Sequence, residues 1–574
     1  MRPALRPVGL ATAGYVVITC VYYWNGVRNI AGSFISDGAD GAAFLWTWWH
    51  IPNALVDGSN LFSAPNLFFP VGVRLGFHTT APLEGMAAWL LSLVLGTVLA
   101  VNLVNLAGVV LTGLGAFMLA RHQCHNDRVA FVAGTAFLLL PQHAARIQGH
   151  WNLNHAWVLP FALWALLRVY DKPSRKRVVI LGLLVAATFL TDLTYFVFWL
   201  GAAVLIALWR RRETLERWRP LVLSGAIAGV AALPMALPML MDLRHNELDP
   251  LPQFGGAQEH SADLLGFVTP TSLHPLWGGL FDGLEGSVFG LEEYPYVGLA
   301  LLALFVVALV RRWRLGPVGP WPLIAGVFAL LSLGPFLHVN GWTGTWFERF
   351  GFRFSVPLPF YVFHRIPVLS GLRIPGRFSI VAALAIGVTA SVALARILRN
   401  RPRTWQWQWG APALVLAITM VELLPAPHVP LQADEVPAAY KAIERHPDQG
   451  AVLEIPLFWR DGFGQVGSTS NQDLLLYYAT KHERPVVNGM IARLPTKRRA
   501  ALYGFPLFRQ LLTLQGQVGF SDPVAFNAAD LRELGIDFVV YHRSRPYPHL
   551  LAYVELLQLE ELADDGDTIV WHVP

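Results

Sequence analysis

Residues Phe378-Ser-Ile-Val-Ala-Ala-Leu-Ala-Ile-Gly-Val-Thr-Ala-Ser-Val-Ala-Leu-Ala395 form an apolar stretch that is followed by Arg396 and Arg399. A helix rises about 1.5 Å per residue, so about 17–25 apolar residues cross the roughly 30 Å of hydrocarbon in a bilayer. Lysine and arginine beside such a run are typically held in the cytoplasm. The stretch therefore predicts a membrane-spanning helix over 376–395 that ends on the cytoplasmic side.

Other apolar runs have the same character. They lie at about 8–25, 102–120, 128–141, 156–170, 178–192, 194–209, 220–241, 294–310, 321–337 and 409–427. A further run at 84–101 is long enough to cross, but crossing would put the basic loops after it on the side opposite the basic N-terminus. We therefore predict about eleven spans, with 84–101 interfacial or re-entrant, the N-terminus cytoplasmic and residues 428–574 outside.

The composition of the chain agrees with a polytopic membrane protein. Of 574 residues, 54% are hydrophobic and 14% are charged, and the mean hydropathy is +0.44. An ordinary globular protein has roughly 25% charged residues, so a wholly soluble protein is excluded. The apolar content excludes a disordered chain, and two cysteines are too few for a disulfide scaffold.

The last part of the chain differs from the membrane domain at 1–427. Residues 428–574 carry 13 basic and 18 acidic residues, a composition typical of a soluble domain. Short β-rich runs alternate there with helical stretches, which favours a small α/β domain. We expect strands at 451–457, 484–488, 537–541 and 568–571, and helices near 471–482, 497–514, 527–534 and 549–562.

The predicted topology leaves long external loops at 26–83, 142–155, 243–293 and 338–375, and polar loops of this length are usually functional. In the first, Asp37 and Asp40 precede an aromatic cluster at 44–49 that suits a helix in the membrane interface. The two carboxylates are candidate catalytic groups near the bilayer surface. A turn and a helix N-cap explain them equally well.

The second loop is rich in imidazole and amide groups, which bind hydroxyl-rich ligands or relay a proton. Its candidate substrate-binding residues are His143, Arg146, His150, Asn152 and Asn154. The same side chains also cap helices. A metal site is less favoured because neither a carboxylate nor a cysteine completes the set.

Acidic residues near the ends of spans are further candidates for substrate binding. They are Asp192, Glu292 and Glu293, with Tyr296 close by in sequence. An acid at membrane depth is costly unless it faces a cavity or a partner, so we take each as a functional hypothesis.

The fourth loop places positive charge on the external side, against the orientation bias. Arg373-Ile-Pro-Gly-Arg377 sets two guanidinium groups where the chain re-enters the bilayer, and Arg365 lies a few residues before them. Guanidinium groups match phosphate oxygens in pairs. We predict that these arginines bind an interfacial phosphate. Anchoring to lipid headgroups is the alternative.

Several motifs resemble those of bacterial polytopic membrane glycosyltransferases of the GT-C type. They are Asp40-x5-Trp46, Ala54-Leu55-x-x-Gly58-x-Asn60-Leu-Phe62, Phe69-Pro70-x-Gly72-Val73, Gly149-His150-x-Asn152-Leu153, Leu331-Ser-Leu-Gly-Pro335, Arg373-x-Pro-x-Arg377 and Lys481-His-Glu-Arg-Pro-Val-Val-Asn-Gly489. The likeness runs through most of the chain. It implies a mainly α, polytopic helix bundle with a small extracytoplasmic α/β domain, located in the bacterial inner membrane.

The resemblance also implies a chemistry. Such enzymes pass a sugar from a polyprenyl-phosphate donor to an extracytoplasmic glycan, lipid or protein, and a first-loop carboxylate is typically the base or the group that orients the acceptor. That role falls to Asp40, with Asp37 as the nearby alternative. The family often has a second acidic residue in the next external loop, where this chain has His150 and Asn152, so metal dependence stays open and no cofactor is indicated.

Two functions from other classes remain. A non-catalytic transporter of lipid-linked glycans would use the same arginines, but a path across the bilayer needs charges within the spans, and these are largely absent. A scaffold for envelope assembly would tolerate a change of Asp40. Membrane lipids are expected partners, and nucleic acid is not.

Overall fold

A computed structural model describes residues 5–36, 39–249, 254–281, 294–311, 318–341, 355–366, 369–424, 431–432, 436–467, 474–517, 526–544 and 547–574. The fold is mainly helical. In chain order, the helices are α1 (Leu5–Tyr22), α2 (Trp24–Val27), α3 (Ala39–Val56), α4 (Pro82–Leu95), α5 (Thr97–Cys124), α6 (Asp127–Leu138), α7 (Pro141–Arg146), α8 (Trp151–Asn154), α9 (Val158–Asp171), α10 (Arg175–Thr191), α11 (Leu193–Trp209), α12 (Arg211–Glu216), α13 (Trp218–Arg244), α14 (Leu299–Val310), α15 (Trp321–Ser332), α16 (Pro359–Phe363), α17 (Ser379–Arg399), α18 (Ala411–Glu422), α19 (Tyr440–Arg445), α20 (Leu475–His482), α21 (Thr496–Tyr503), α22 (Pro506–Leu514), α23 (Ala528–Glu533) and α24 (Pro548–Leu556).

The strands are short. They are β1 (Ser33–Phe34), β2 (Ser63–Ala64), β3 (Val73–Arg74), β4 (Leu431–Gln432), β5 (Ala451–Ile455), β6 (Phe458–Arg460), β7 (Gln465–Gly467), β8 (Gly489–Met490), β9 (Ile536–His542), β10 (Glu560–Asp564) and β11 (Thr568–His572).

A helix lies at each of the eleven positions where a span was predicted. Three segments among the described residues are long and apolar enough to cross a membrane: Thr97–Cys124, Trp218–Arg244 and Pro375–Arg399. The number of spans and their orientation therefore stay predictions. The run at 84–101 is interrupted at Gly96, which has a φ of 80° and separates α4 from α5.

Helix α13 presents apolar side chains to its surroundings. Val222, Val230, Leu237 and Leu240 are each more than half exposed. Only 22% of the most apolar segment of the helix is buried. Such a face is unfavourable in water and suits lipid, where the helix satisfies its own backbone polar groups. This is the physical basis for treating the chain as a membrane protein.

Contacts divide the chain into two compact units. The first unit comprises Met1–Arg28, Asn102–Leu233 and Leu251–Val429. Within it, α17 packs against α14 and α15, and α9 packs against α10 and α11. Side chains such as Leu163, Tyr195, Phe198 and Phe378 belong to one continuous apolar core.

The second unit comprises Asn29–Val101, Pro234–Pro250 and Pro430–Pro574. Its main sheet has the order β10-β11-β9-β5, with β5 and β9 parallel and the other neighbours antiparallel. A second sheet has the order β7-β6-β8, and β1 pairs with β4. Residues 430–574 are thus an α/β region that shares its compact unit with 29–101 and 234–250.

Two expectations for this region were wrong. Residues 484–488 do not form a strand: Val486 makes isolated bridges to Leu67 and Val452. The helix expected over 549–562 ends at Leu556, and Glu560–Asp564 pairs with β11 instead. Pairing with distant residues overrode the local sequence preference in both places.

Candidate functional site

Asp40 lies in the second unit, in the first turn of α3. Its Oδ1 is 3.9 Å from Nη2 of Arg460, the last residue of β6. The Asp40 side chain is 24% exposed and that of Arg460 35%. A carboxylate in the first turn of a helix is stabilised by the helix dipole, and the guanidinium adds to this. Asp37 lies outside the described residues.

His78 forms hydrogen bonds to Thr47 of α3 and to Ala492. Its Nδ1 accepts a hydrogen bond from the Ala492 N–H at 3.1 Å, and its Nε2 is 3.1 Å from the Thr47 hydroxyl. Since that hydroxyl donates to the Ala43 carbonyl, the Nε2–H of His78 is the donor. Burial and the nearby His50 lower the pKa of His78 to about 4, although Asp40 opposes the shift. This histidine is therefore neutral at pH 7, and its two hydrogen bonds connect α3 to Ala492.

The aromatic cluster of α3 packs inside the protein, so the predicted interfacial placement of its rings is wrong for two of the tryptophans. Trp46 is 1% exposed and stacks on His50, with ring centroids 4.7 Å apart. Trp48 is also buried and lies against Gly85 of α4. Because α3 packs against α4 and α20, its aromatic face contacts protein.

Two acidic residues, Glu247 and Asp249, form hydrogen bonds with distant segments of the second unit. The Arg498 guanidinium donates to both oxygens of Glu247, at 2.7 and 2.8 Å, and to the carbonyl oxygens of Val71 and Gly72. Thr496, the first residue of α21, donates to Asp249 through its backbone N–H and its hydroxyl. These contacts give the acids a structural role.

In the first unit, the structure pairs two of the predicted substrate-binding residues. Asn152 Nδ2 donates to Asp192 Oδ2 at 2.5 Å, and the other oxygen of Asp192 accepts from the Thr194 N–H at 2.6 Å. Asp192 is thus the N-cap of α11 as well as the partner of Asn152. Within the described part of the chain, Asn152 Oδ1 is buried with no hydrogen-bond partner.

Gln142 connects the second predicted loop to the start of α17. Its Nε2 donates to the Tyr294 carbonyl at 2.9 Å and to the Ser379 hydroxyl oxygen at 2.5 Å. The Ser379 hydroxyl in turn donates to the Gly376 carbonyl at 2.6 Å. The turn that holds Arg373 and Arg377 is therefore tied to the connection between α6 and α9.

Several other polar residues of that connection are deeply buried. His143 is 1% exposed, and burial together with Arg146, itself fully buried, lowers the pKa of His143 to about 3. Among the described residues neither ring nitrogen of His143 has a hydrogen-bond partner. Asn154 donates to the Asn105 carbonyl at 2.9 Å, whereas His150 is half-buried just before α8. His143 is thus a buried, neutral imidazole beside Arg146, with capacity to donate and accept.

The arginines of the fourth loop occupy different settings. Arg373 and Arg377 are half-buried, in and just before a 3-10 turn, Pro375–Phe378, that leads directly into α17. Arg365 is exposed and lies over the Tyr361 ring, to whose hydroxyl oxygen it donates at 2.5 Å. Arg365 is thus engaged by Tyr361, and phosphate binding by Arg373, Arg377 and Arg365 stays a prediction.

Tyr296 is buried in the first unit, while Glu292 and Glu293 lie outside the described residues. Sequence reasoning missed Arg460, Gln142 and Ser379 as partners of the predicted residues. A glutamine within the second loop was a usable signal for one of them, but no local pattern links Arg460 to Asp40. Among the described residues, the histidine, cysteine and acidic side chains close enough to share a metal ion are His446, Asp448 and His572.

The comparisons with known proteins agree with this architecture. Residues 11–423 match the family described as "Domain of unknown function (DUF6311)". A comparison with curated proteins finds no match. Among solved structures, the chain is similar to the arabinofuranosyltransferase AftD from Mycobacteria, with a TM-score of 0.58 and 16% identity over 99% of this chain and 40% of that chain. It is also similar to ArnT from Cupriavidus metallidurans bound to undecaprenyl phosphate, with a TM-score of 0.50 and 13% identity over 98% of each chain.

At these identities the likeness is one of fold, and the fold is that of the GT-C glycosyltransferases. The resemblance drawn from the sequence motifs is thereby confirmed. The chain spans 40% of the length of the arabinofuranosyltransferase that it matches.

Proposed function

This chain belongs to the DUF6311 family, and we propose that it is a membrane glycosyltransferase that moves a sugar from a polyprenyl-phosphate donor to an extracytoplasmic acceptor. The observation that carries the proposal is the GT-C fold over 99% of the chain. ArnT, which has the same fold over its whole length, binds undecaprenyl phosphate. We place the enzyme in the bacterial inner membrane with residues 428–574 outside.

The reaction is a displacement at the anomeric carbon of the donor sugar. A hydroxyl or other nucleophile of the acceptor loses a proton to Asp40 as its oxygen or nitrogen bonds to that carbon. The bond from the carbon to the phosphate oxygen breaks, and the polyprenyl phosphate leaves with the electron pair. General-base help of this kind contributes about 10²–10⁴-fold to the rate.

Arg373 and Arg377 are the proposed phosphate ligands. They adjoin the N-terminus of α17, a helix of 21 residues whose first backbone N–H groups and dipole also favour an anion. Charge that grows on the departing phosphate is stabilised by the same groups, and such electrostatic stabilisation is usually the largest single contribution to catalysis. His143, Arg146, His150, Asn152 and Asn154 are the proposed contacts to sugar hydroxyls. The proposal is supported by the burial of His143, Arg146, Asn152 and Asn154, and, among the described residues, by the unpartnered ring nitrogens of His143 and Oδ1 of Asn152.

The test uses purified protein in lipid vesicles with a panel of polyprenyl-phosphate sugars. The wild type should release polyprenyl phosphate and transfer the sugar, and Asp40→Asn should lower the transfer rate by about 10²–10⁴-fold. Asp57→Asn is the matched control, since Asp57 is an exposed aspartate just after the end of the same helix. Full activity of Asp40→Asn would remove the base assignment, and no sugar release with any donor would remove the enzymatic proposal.

The arginines are tested in the same assay. Arg373→Ala and Arg377→Ala should each lower the rate by roughly 10²-fold or more. Arg399→Ala is the control, because Arg399 is exposed at the opposite end of the helix that follows the two arginines. Donor movement across the bilayer without sugar transfer would favour a transporter instead.

A further inference from the structure

We propose that His446, Asp448 and His572 of the second unit form a binding site for a divalent transition metal, and that zinc is the ion they fit best. One nitrogen or oxygen atom from each residue lies within 4.8 Å of the other two. Two imidazoles and a carboxylate are the ligand types that zinc takes in proteins, with a water in the fourth position when the site is open. The proposal is independent of the proposed glycosyl transfer.

These residues come from two places in the chain. His446 directly follows α19, and Asp448, two residues later, donates its backbone N–H to His446 Nδ1 at 3.2 Å. His572 is the last residue of β11 and is paired with Glu560 of β10 in the antiparallel register. The end of a helix and the end of an inner strand of the main sheet therefore meet at the cluster.

The side chains are already in contact. Asp448 Oδ2 is 2.8 Å from His572 Nε2, and the rings of His446 and His572 have centroids 4.4 Å apart. The second ring nitrogen of His572, Nδ1, is 3.6 Å from Glu560 Oε2. Within the described residues this buried nitrogen has no hydrogen-bond partner, and the His572 side chain is only 10% exposed.

This arrangement around His572 is the one that metal-ligating histidines adopt. A ligating histidine almost always directs its other ring nitrogen to a carboxylate or carbonyl, which fixes the ring and raises its basicity. If His572 binds the ion through Nε2, its Nδ1–H points to Glu560, and Glu560 supplies the orienting carboxylate. The buried Nδ1 atom then gains the partner that it otherwise lacks.

Charge and distance both allow a cation. Donor atoms around a tetrahedral zinc are about 3.3 Å apart, given bonds of about 2.0–2.1 Å, so the cluster must shift by about an ångström or so. Asp448 is 34% exposed and His446 is half-buried, which leaves them room to adjust. Arg532 lies 3.5 Å from Asp448, but it also lies 3.7 Å from Asp537. Two carboxylates, Asp448 and Glu560, thus outnumber the cation that faces the site.

The experiment measures metal bound to the full-length protein, purified in detergent with a peptide affinity tag that contains no histidine. After incubation with zinc and desalting, elemental analysis should find about one zinc per wild-type chain. His446→Ala and Asp448→Asn should each weaken zinc affinity by at least tenfold in competition with a chromophoric chelator. Glu560→Gln should weaken it by about 10–100-fold, as changes to orienting carboxylates do.

Two controls keep the result decisive. His549→Ala changes an exposed histidine outside the cluster and should leave the zinc content unchanged. Cobalt(II) bound to the wild type should give the visible absorption of a four-coordinate site, a readout that needs no variant to fold. Zinc in the wild type that equals that of the Asp448→Asn and His446→Ala variants, or an absence of cobalt absorption, would overturn the proposal and leave a simple hydrogen-bonded cluster.

Discussion

Replacement of Arg498 by alanine should destabilise the second unit, because this guanidinium satisfies a buried acid and two backbone carbonyls at once. Glu247 is 7% exposed and receives two hydrogen bonds from Arg498, which also donates to Val71 and Gly72. Breaking a buried ion pair from one side costs about 3–5 kcal/mol. Lys497 remains 3.0 Å from Glu247, and the Arg498 side chain is 20% exposed, so we expect about 2–3 kcal/mol.

The pH dependence gives the same prediction a second readout. Burial would raise the pKa of Glu247, but hydrogen bonds from Arg498 and Lys497 hold it below its ordinary value. A group whose pKa is lowered on folding stabilises the protein above its unfolded pKa, about 4.3, and loses that contribution as the pH falls through the folded value. The difference in stability between the wild type and Arg498→Ala should therefore be largest near pH 7 and shrink below about pH 4.

Thermal unfolding in detergent, followed by tryptophan fluorescence, measures both effects. For a unit of this size, 2–3 kcal/mol corresponds to a fall in Tm of about 5–10 °C. Arg445→Ala, which changes an exposed arginine of the same unit, should shift Tm by less than about 2 °C. Equal shifts for the two variants, or simple additivity between Arg498→Ala and Glu247→Gln, would refute the reasoning, since residues in one ion pair should be coupled by about 0.5–3 kcal/mol.

Two other substitutions test the packing of each unit. Gly108→Val should sharply lower the yield of monodisperse protein on size-exclusion chromatography, because a Cβ atom at residue 108 would lie 2.6 Å from the His155 ring. Gly229→Val should leave the yield unchanged, because a Cβ atom at residue 229 would have no other atom within 4 Å. Tyr440→Phe should lower the free energy of unfolding by about 1–3 kcal/mol in a denaturant titration, since it removes the hydroxyl that donates to the buried Glu454 at 2.6 Å. An unchanged profile for Gly108→Val, or an unchanged midpoint for Tyr440→Phe, would contradict the close packing and the buried hydrogen bond.

The helices could be predicted from the sequence because the signal is local. An apolar run long enough to cross a bilayer is also a run that forms a helix, and a helix lies at each of the eleven predicted positions. The break at Gly96 was not predicted, since the residues on both sides are apolar and the interruption depends on a positive φ. Hydropathy thus located the helices better than their ends.

The strands and the site depend on residues that are distant in sequence. Glu560–Asp564 is a strand because it pairs with β11, although its composition suits a helix equally well. Asp40 was singled out from its motif, but its partner Arg460 comes from a strand of the last third of the chain. No periodicity or spacing in the sequence indicates that Asp40 and Arg460 are neighbours. The sequence therefore singled out Asp40 as a candidate but did not predict the arginine beside it.

Helix α17 illustrates what hydropathy cannot distinguish. The most apolar segments of the two helices have similar mean hydropathies, 2.2 for α17 and 1.9 for α13. The segment in α17 is nevertheless 100% buried within the protein, whereas that in α13 is 22% buried. Small residues such as Ala382, Ala385 and Ala390 are fully enclosed in α17, and small residues of this kind are common where membrane helices pack together. A helix enclosed on all sides has little freedom to move, so the turn that it carries at its N-terminus is fixed with it. Arg377 lies in this turn and Arg373 two residues before it, so the proposed phosphate site would rest on the start of an enclosed helix, as a preorganised site requires.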